Sequence, residues 1–382
     1  MGLSVLVKAF FRWSETAKAC DRARAANALG RAYLHSPMSD EDRRSTYVAM
    51  TYLLDDPSPK VRLALAEALA LEPQAPRVLL INLCEDQPEV ASLVILSSPV
   101  LQDRDLVDLA GRGNGMTRAF IAARPRLSSA VAAALVEIGD LPECLVLLDN
   151  HSADLSPFSL LRLAERHGNE DAIRGALLER DDLPARARHL ILSHVAQAFA
   201  EAGLVRFALG DGKLNRLNRE ISTNAAATIA GEASFDDIPA LVEQMQVNGQ
   251  LTPALLIEIL CCGKADFFAC AIEALSGLQE RRVRSILATG RMHAVRALLL
   301  SAGIDPAIAP VFVEAVLLWR HAVQTTNPGD APSICQALLE KSTKLSSGDA
   351  ARQLLDLVEN LHRQEERRNA RRYAAYLVVD AA

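Results

Sequence analysis

The chain has 382 residues, 50% hydrophobic, 23% charged and only 4% aromatic, with a mean hydropathy of +0.11. Its 41 Lys and Arg against 47 Asp and Glu leave a net charge of −6, which argues against a dedicated nucleic-acid or membrane-surface binder, since phosphate binding rests on clustered cations. Leu and Ala, the best helix formers, dominate, and no stretch alternates apolar with polar for long, so the composition favours an all-α protein over a sheet protein.

In chain order, "MGLSVLVKAFFRW" is apolar, but Lys8 interrupts it and no small-residue cleavage site follows, so it does not read as a signal peptide. No window reaches the roughly 18 apolar residues of a membrane span, and the expected location is cytoplasmic. Phe10, Phe11 and Trp13 beside Lys8 and Arg12 read as a terminal helix capping the first packing unit; the alternative is contact with a membrane surface. Residues 1–38 are assigned to such capping helices.

Helix punctuation then recurs. Ser39 with Asp42 resembles a capping box, and the helix it opens stops at Asp55-Asp56-Pro57. Pro59 suits the first turn of the next helix, whose apolar stripe is Val61, Leu65, Ala68 and Leu69. "LLDDPSPKVRLALAEA" aligns with "LCEDQPEVASLVILSS", and "LLDNHSADLSPFSLLRLAE" and "LLERDDLPARARHLILSH" keep the leucine pair, acid and proline. From Leu54 to Leu83 is 29 positions and from Leu148 to Leu178 is 30; two-helix units of about thirty residues are the signature of a helical solenoid.

The stretch "DDPSPKVRLALAEAL" resembles the second half of a HEAT repeat, with Asp56 at the turn and Val61-Arg62 opening the inner helix. That resemblance implies a ladder of Asp–Arg ion pairs and caps between neighbouring units. Later copies depart, with Ala91 in the arginine position, and residues 141–194 are closer to a leucine-rich variant. The reading is an α-solenoid of HEAT-like helical hairpins over 39–202, a linker near 203–222, a second all-helical domain over 203–324, a break at 325–333 and a helical tail over 325–382.

The second domain is sharply marked: Asp236-Asp237 before Pro239, Asn248-Gly249, Thr252-Pro253, Gly263 and Asp305-Pro306 bound its helices. Gly249, Leu251, Thr252, Pro253, Cys262, Gly263, Phe267, Phe268, Arg282, Val283, Arg284, Ala302 and Gly303 resemble the C-terminal half of an uncharacterised bacterial domain-of-unknown-function family that carries HEAT-like N-terminal repeats. The resemblance implies no particular activity.

Chemistry is sparse. His189 and His194 are five apart and diverge by about 140° on a helix, so they do not form a metal pair. "GRGNGM" (111–116) follows "LVDLA", a helix rather than a strand, and reads as a turn, not a phosphate loop. The seven scattered cysteines read as buried free thiols in a reducing compartment. Arg281, Arg282, Arg284, Arg291, His293 and Arg296 gather around one helix-turn-helix and, if they converge, hold a carboxylate, a phosphate or an acidic peptide. The alternative is two solvated faces with ion pairs to the acidic helix at 236–243.

No cofactor and no metal site is read. The expected function is a non-enzymatic protein–protein interaction scaffold or regulatory adaptor, its protein partner lying along the solenoid groove. Alternatives are a nucleic-acid-binding protein using Arg281–Arg296, and an enzyme whose site assembles from distant residues.

Overall fold

Several helices here begin at a local polar signal. In the computed structural model, which describes residues 5–324, 333–345 and 348–380, Ser39 Oγ accepts a hydrogen bond from the Asp42 amide (3.1 Å), and Asp40, Glu41 and Asp42 face the positive end of their helix. Asn114, Ser128, Ser156 and Thr252 cap later helices in the same way. Pro59, Pro88, Pro157 and Pro253 occupy first turns, where the missing N–H leaves no bond unmade. Among the described residues the elements are helices alone, so the fold is all-α, and no helix is long and apolar enough to cross a membrane.

The chain packs as two compact units, residues 1–183 and 184–382. The first holds α1 (Val5–Thr16), α2 (Ala19–His35), α3 (Asp40–Leu53), α4 (Pro59–Leu69), α5 (Arg77–Cys84), α6 (Pro88–Ser97), α7 (Asp103–Arg112), α8 (Gly115–Ala122), α9 (Ser129–Ile138), α10 (Leu141–Asp149), α11 (Pro157–His167) and α12 (Asp171–Leu178). Even-numbered helices stack in a row, α2 on α4, then α6, α8, α10 and α12. In the odd-numbered row α1 packs on α3, α7 on α9 and α9 on α11, and hairpin contacts such as α3 with α4 and α5 with α6 join the rows. Such in-line stacking is solenoid-like, because each hairpin buries its apolar stripe against its neighbours. Val61, Leu65, Ala68 and Leu69 are all buried, as their spacing predicts. At the start of the row Phe11 meets Tyr52 of α3, ring centroids 4.6 Å apart.

The second unit holds α13 (Ala185–Glu201), α14 (Gly203–Leu209), α15 (Asp211–Glu232), α16 (Ile238–Val247), α17 (Pro253–Cys261), α18 (Ala265–Ser276), α19 (Glu280–Thr289), α20 (Met292–Ser301), α21 (Ala309–Gln324), α22 (Ile334–Glu340), α23 (Ser342–Leu345) and α24 (Asp349–Asp380). Its centre is α17, which touches α15, α18, α21 and α24. The run Leu255 to Leu260 is buried at every position, as an apolar-all-round helix must be. Phe267, Phe268 and Phe312 fill the space beside it, with Phe268 stacked on Phe312.

Three sequence expectations differ from the structure. The segment 203–222, expected as a linker, is α14 and the first half of α15; Gly203 and Gly210 mark helix boundaries, and Gly210 takes φ +73° between them. Residues 185–201, expected among the repeats, form α13, which packs on α15 and α16 in the second unit. Asp305-Pro306 opens a turn rather than a helix: Asp305 Oδ1 accepts from the Ala307 amide, and α21 starts at Ala309. The break at 325–333 lies outside the described residues except for Ser333, whose hydroxyl caps α22.

Gly290 and Gly111 mark the two extremes of glycine use. Gly290 closes α19 at φ +60°, and a Cβ there would also meet the Arg320 guanidinium. That guanidinium is the end of a flexible side chain and can move, so the backbone conformation sets the cost. Gly290→Ala is expected to lower stability by about 1–2 kcal/mol, with little recovery on adding Arg320→Ala. Gly111, within α7 and with nothing near its missing Cβ, is the converse: Gly111→Ala is expected to raise stability by about 0.5–1 kcal/mol. Urea unfolding of the variants checks both signs.

Candidate functional site

Of the repeat-signature residues, Asp56 and Arg62 lie in a chain of ion pairs and Val61 is buried in the core. Asp56, in the turn before α4, accepts from the Ser58 amide (2.9 Å) and receives the Arg22 fork from α2, Nε to Oδ2 at 2.6 Å and Nη2 to Oδ1 at 2.9 Å. One step along, Arg62 forks onto Asp86 (2.5 and 2.8 Å) while its Nη1 donates to the Asp56 carbonyl. Arg77 of α5 forks onto Asp105, which also accepts from the Gln102 amide that precedes α7. Bidentate guanidinium–carboxylate geometry of this kind fixes register as well as adding energy. Burial by itself pushes the Asp56 carboxyl up, but the Arg22 fork and the Ser58 amide outweigh it and hold Asp56 below the ordinary aspartate range. The Arg77 fork likewise holds Asp105 low.

Further along, Arg162 still forks onto Glu137 (2.8 and 3.1 Å), but several other side chains bind backbone carbonyls in place of acids. Arg124 donates to the carbonyls of Ile95 and Ser98 at the end of α6, and Arg166 donates to that of Val136 near the end of α9. Asn150 donates to the carbonyls of Ala122 (2.7 Å) and Arg124 (2.8 Å) after α8. A neighbouring hairpin thus satisfies carbonyls that a helix end leaves unpaired.

The arginine hairpin divides by role. Arg284 is half-buried, paired with Asp266 (2.6 Å) and Glu280 (2.7 Å), and its guanidinium lies 5.6 Å from the Phe235 ring centroid. Its ion pairs run to α18 and to its own helix rather than to the acids at 236–243. It borders a groove of about 390 Å³ that also presents Glu243, Asp266, Glu273 and Glu280, so that groove is acidic. Arg281, Arg282, Arg291, His293 and Arg296 remain exposed, with no side-chain hydrogen bond or ion pair among the described residues.

Elsewhere, "GRGNGM" is the turn from α7 into α8: Asn114 Oδ1 caps Thr117, and the buried Glu143 carboxylate fills the space a Cβ on Gly115 would need. The cysteines are all free, but Cys20 and Cys262 are exposed, correcting the reading that all are buried. Burial pushes the Cys84 thiol up to about 12 and Cys144 to about 11, which makes both poor nucleophiles. Among the described residues no three His, Cys, Asp or Glu gather as a metal-ligand set.

Sequence reasoning missed two features. Glu258 sits on the buried α17 with Oε2 unpartnered, and burial pushes its carboxyl up to about 7; the signal was the lone acid in "LLIEIL". The second is a row of exposed apolar side chains, Tyr52 on α3, Val78 on α5, Val107 on α7, Ile138 on α9 and Phe158 on α11. Val78 and Phe158 are 59% and 68% exposed. In the even row, α4, α6 and α10 carry no large exposed apolar residue among those described, while α8 and α12 carry Met116 and Leu178. The stripe periodicity that locates a core does not reveal such outward residues.

A sequence model described as "Uncharacterised protein conserved in bacteria (DUF2336)" matches residues 90–352, more than half of the chain. No curated protein and no solved structure matches it.

Removing Asp56 leaves the buried Arg22 fork unanswered, so Asp56→Ala is expected to cost about 2–3 kcal/mol, with a favourable coupling to Arg22 in a double-mutant cycle. Because the Asp56 carboxyl lies low in the fold, its contribution is present above about pH 4 and fades as pH falls through the folded value; urea midpoints across acid pH measure this. Glu258 has the opposite sign. Its proton is held more tightly folded than unfolded, so stability falls as pH rises from about 4.5 to about 7. Glu258→Gln is expected to stabilise the chain by roughly 2–3 kcal/mol at pH 8, with the gain vanishing toward pH 4.5 in the same assay.

Proposed function

The chain belongs to the conserved bacterial family DUF2336, and from that premise we propose that it is a cytoplasmic, non-enzymatic interaction scaffold or regulatory adaptor. Its protein partner lies along the odd-numbered helices of the first unit. The observation that carries this reading is the recurrence of at least one exposed apolar side chain on each of α3, α5, α7, α9 and α11. Single surface apolar residues are ordinary, but a helix-by-helix series along one row makes a surface that loses water favourably when a partner covers it. The Asp–Arg chain through Asp56, Arg62 and Asp86 supports a HEAT-like reading of the hairpins and holds that row in register.

A second reading, nucleic-acid binding, draws on Arg281, Arg282, Arg291 and Arg296, four exposed guanidinium groups without acid partners among the described residues. The acidic groove beside Arg284 and the net charge of −6 weigh against it.

Quantitative pulldown with cross-linking separates the two. Val78→Glu combined with Phe158→Glu alters only exposed positions, so the melting temperature should stay close to wild type while partner retention falls at least about tenfold. Undiminished capture by that variant overturns the scaffold reading along this row. Salt-sensitive DNA retention, lost on Arg281→Glu with Arg282→Glu, would favour the second reading.

A further inference from the structure

We propose that two copies of the chain pair through their second units, each inserting Phe207 of α14 into an apolar pocket between α13 and α15 of the other. The pocket is walled by Leu192, Ala196, Phe199, Ile221, Ala226 and Ile229, and encloses about 190 Å³. Phe199 and Ile221 are themselves exposed, so its mouth opens to solvent. An engineered apolar cavity of about 150 Å³ holds benzene, so a phenylalanine ring fits this volume.

Phe207 is the knob for that hole. It is 92% exposed, more than any other large apolar residue among those described. It does not line the pocket of its own copy, yet α14 packs against both α13 and α15. Knob and hole therefore sit on adjoining helices. The apolar exposure continues around them: Val195 and Phe199 are one turn apart on α13, and Leu217 and Ile221 are one turn apart on α15. Residues at that spacing share a helix face. Exposed apolar side chains on three touching helices are the kind of surface that a protein contact covers.

The chemistry of the pocket points to a second copy as the occupant. Among the described lining residues there is no Asp, Glu, Lys or Arg, so a charged segment would lose its hydration there without a counter-charge to meet. Two copies of net charge −6 repel one another, and an uncharged contact adds least to that repulsion. The second copy brings the group that the volume suits, an almost fully exposed ring. A two-fold axis lets both rings enter both pockets at once, so one pairing covers two knobs and two holes.

Sedimentation equilibrium of the full chain is the test. Wild type should form a closed dimer at about 50 μM protein, as a modest apolar contact allows. Phe207→Ser removes the knob and Ala196→Phe fills the hole. Each should weaken its homodimer about a hundredfold, because both ring contacts are then missing. Mixing the two variants returns one ring to one open pocket, so a heterodimer should form about tenfold more weakly than the wild-type dimer. Circular dichroism checks that the variants keep their helices, and Ile221→Glu, at the exposed rim, replaces Ala196→Phe if that one does not fold. A wild type that stays monomeric, whether its patch is bare or taken by a different protein, overturns the proposal. So do assemblies that grow beyond two copies, a dimer unmoved by the folded variants, or a mixture without heterodimer.

Discussion

Short helices have many ends. In the first unit most helices run eight to twelve residues, so a large share of their backbone groups lies within four positions of a terminus, where no intrahelical partner exists. Satisfying those groups is the constraint on which the rest of the unit depends. The N-termini are met locally, by Ser39, Asn114, Ser128 and Ser156. Several C-terminal carbonyls are met from outside, by Arg124, Arg166 and Asn150. A side chain that completes another hairpin's helix also fixes the spacing between the two, so the cap and the stacking are one interaction.

The second unit solves the same problem differently. Gly249, Gly263, Gly277, Gly290 and Gly303 follow α16 to α20 in the left-handed conformation, and every positive-φ glycine among the described residues lies in this unit. Closing helices within their own segments frees the packing from a strict row. The largely apolar α17 can then sit at the centre of its unit, among α15, α18, α21 and α24. The cost of that enclosure falls on the polar residues it traps: Glu258 near the α24 contact, and His189 and Gln250 in the pocket beside α13.

These two solutions leave different surfaces. A row of stacked hairpins offers surface along its length, with apolar side chains exposed on successive helices. A unit packed on several sides offers enclosure instead. Arg281, Arg282, Arg291 and Arg296 stay exposed around α19 and α20, whereas the half-buried Arg284 is tied to Asp266, Glu280 and the Phe235 ring.

The helical class, most helix starts and stops, and the buried stripe of α4 were legible in the amino-acid order alone. Those depend on caps, prolines, glycines and apolar spacing within a few residues. The kinship of the C-terminal half was equally legible, in the residues from Gly249 to Gly303. Long-range packing settled the rest: that α13 joins the second unit, that Arg62 reaches Asp86, that Arg284 is neutralised across 18 positions, and that His189 and Gln250 line one pocket. Each of those outcomes depends on which distant segments come to lie side by side, and local propensity carries no record of a partner's position.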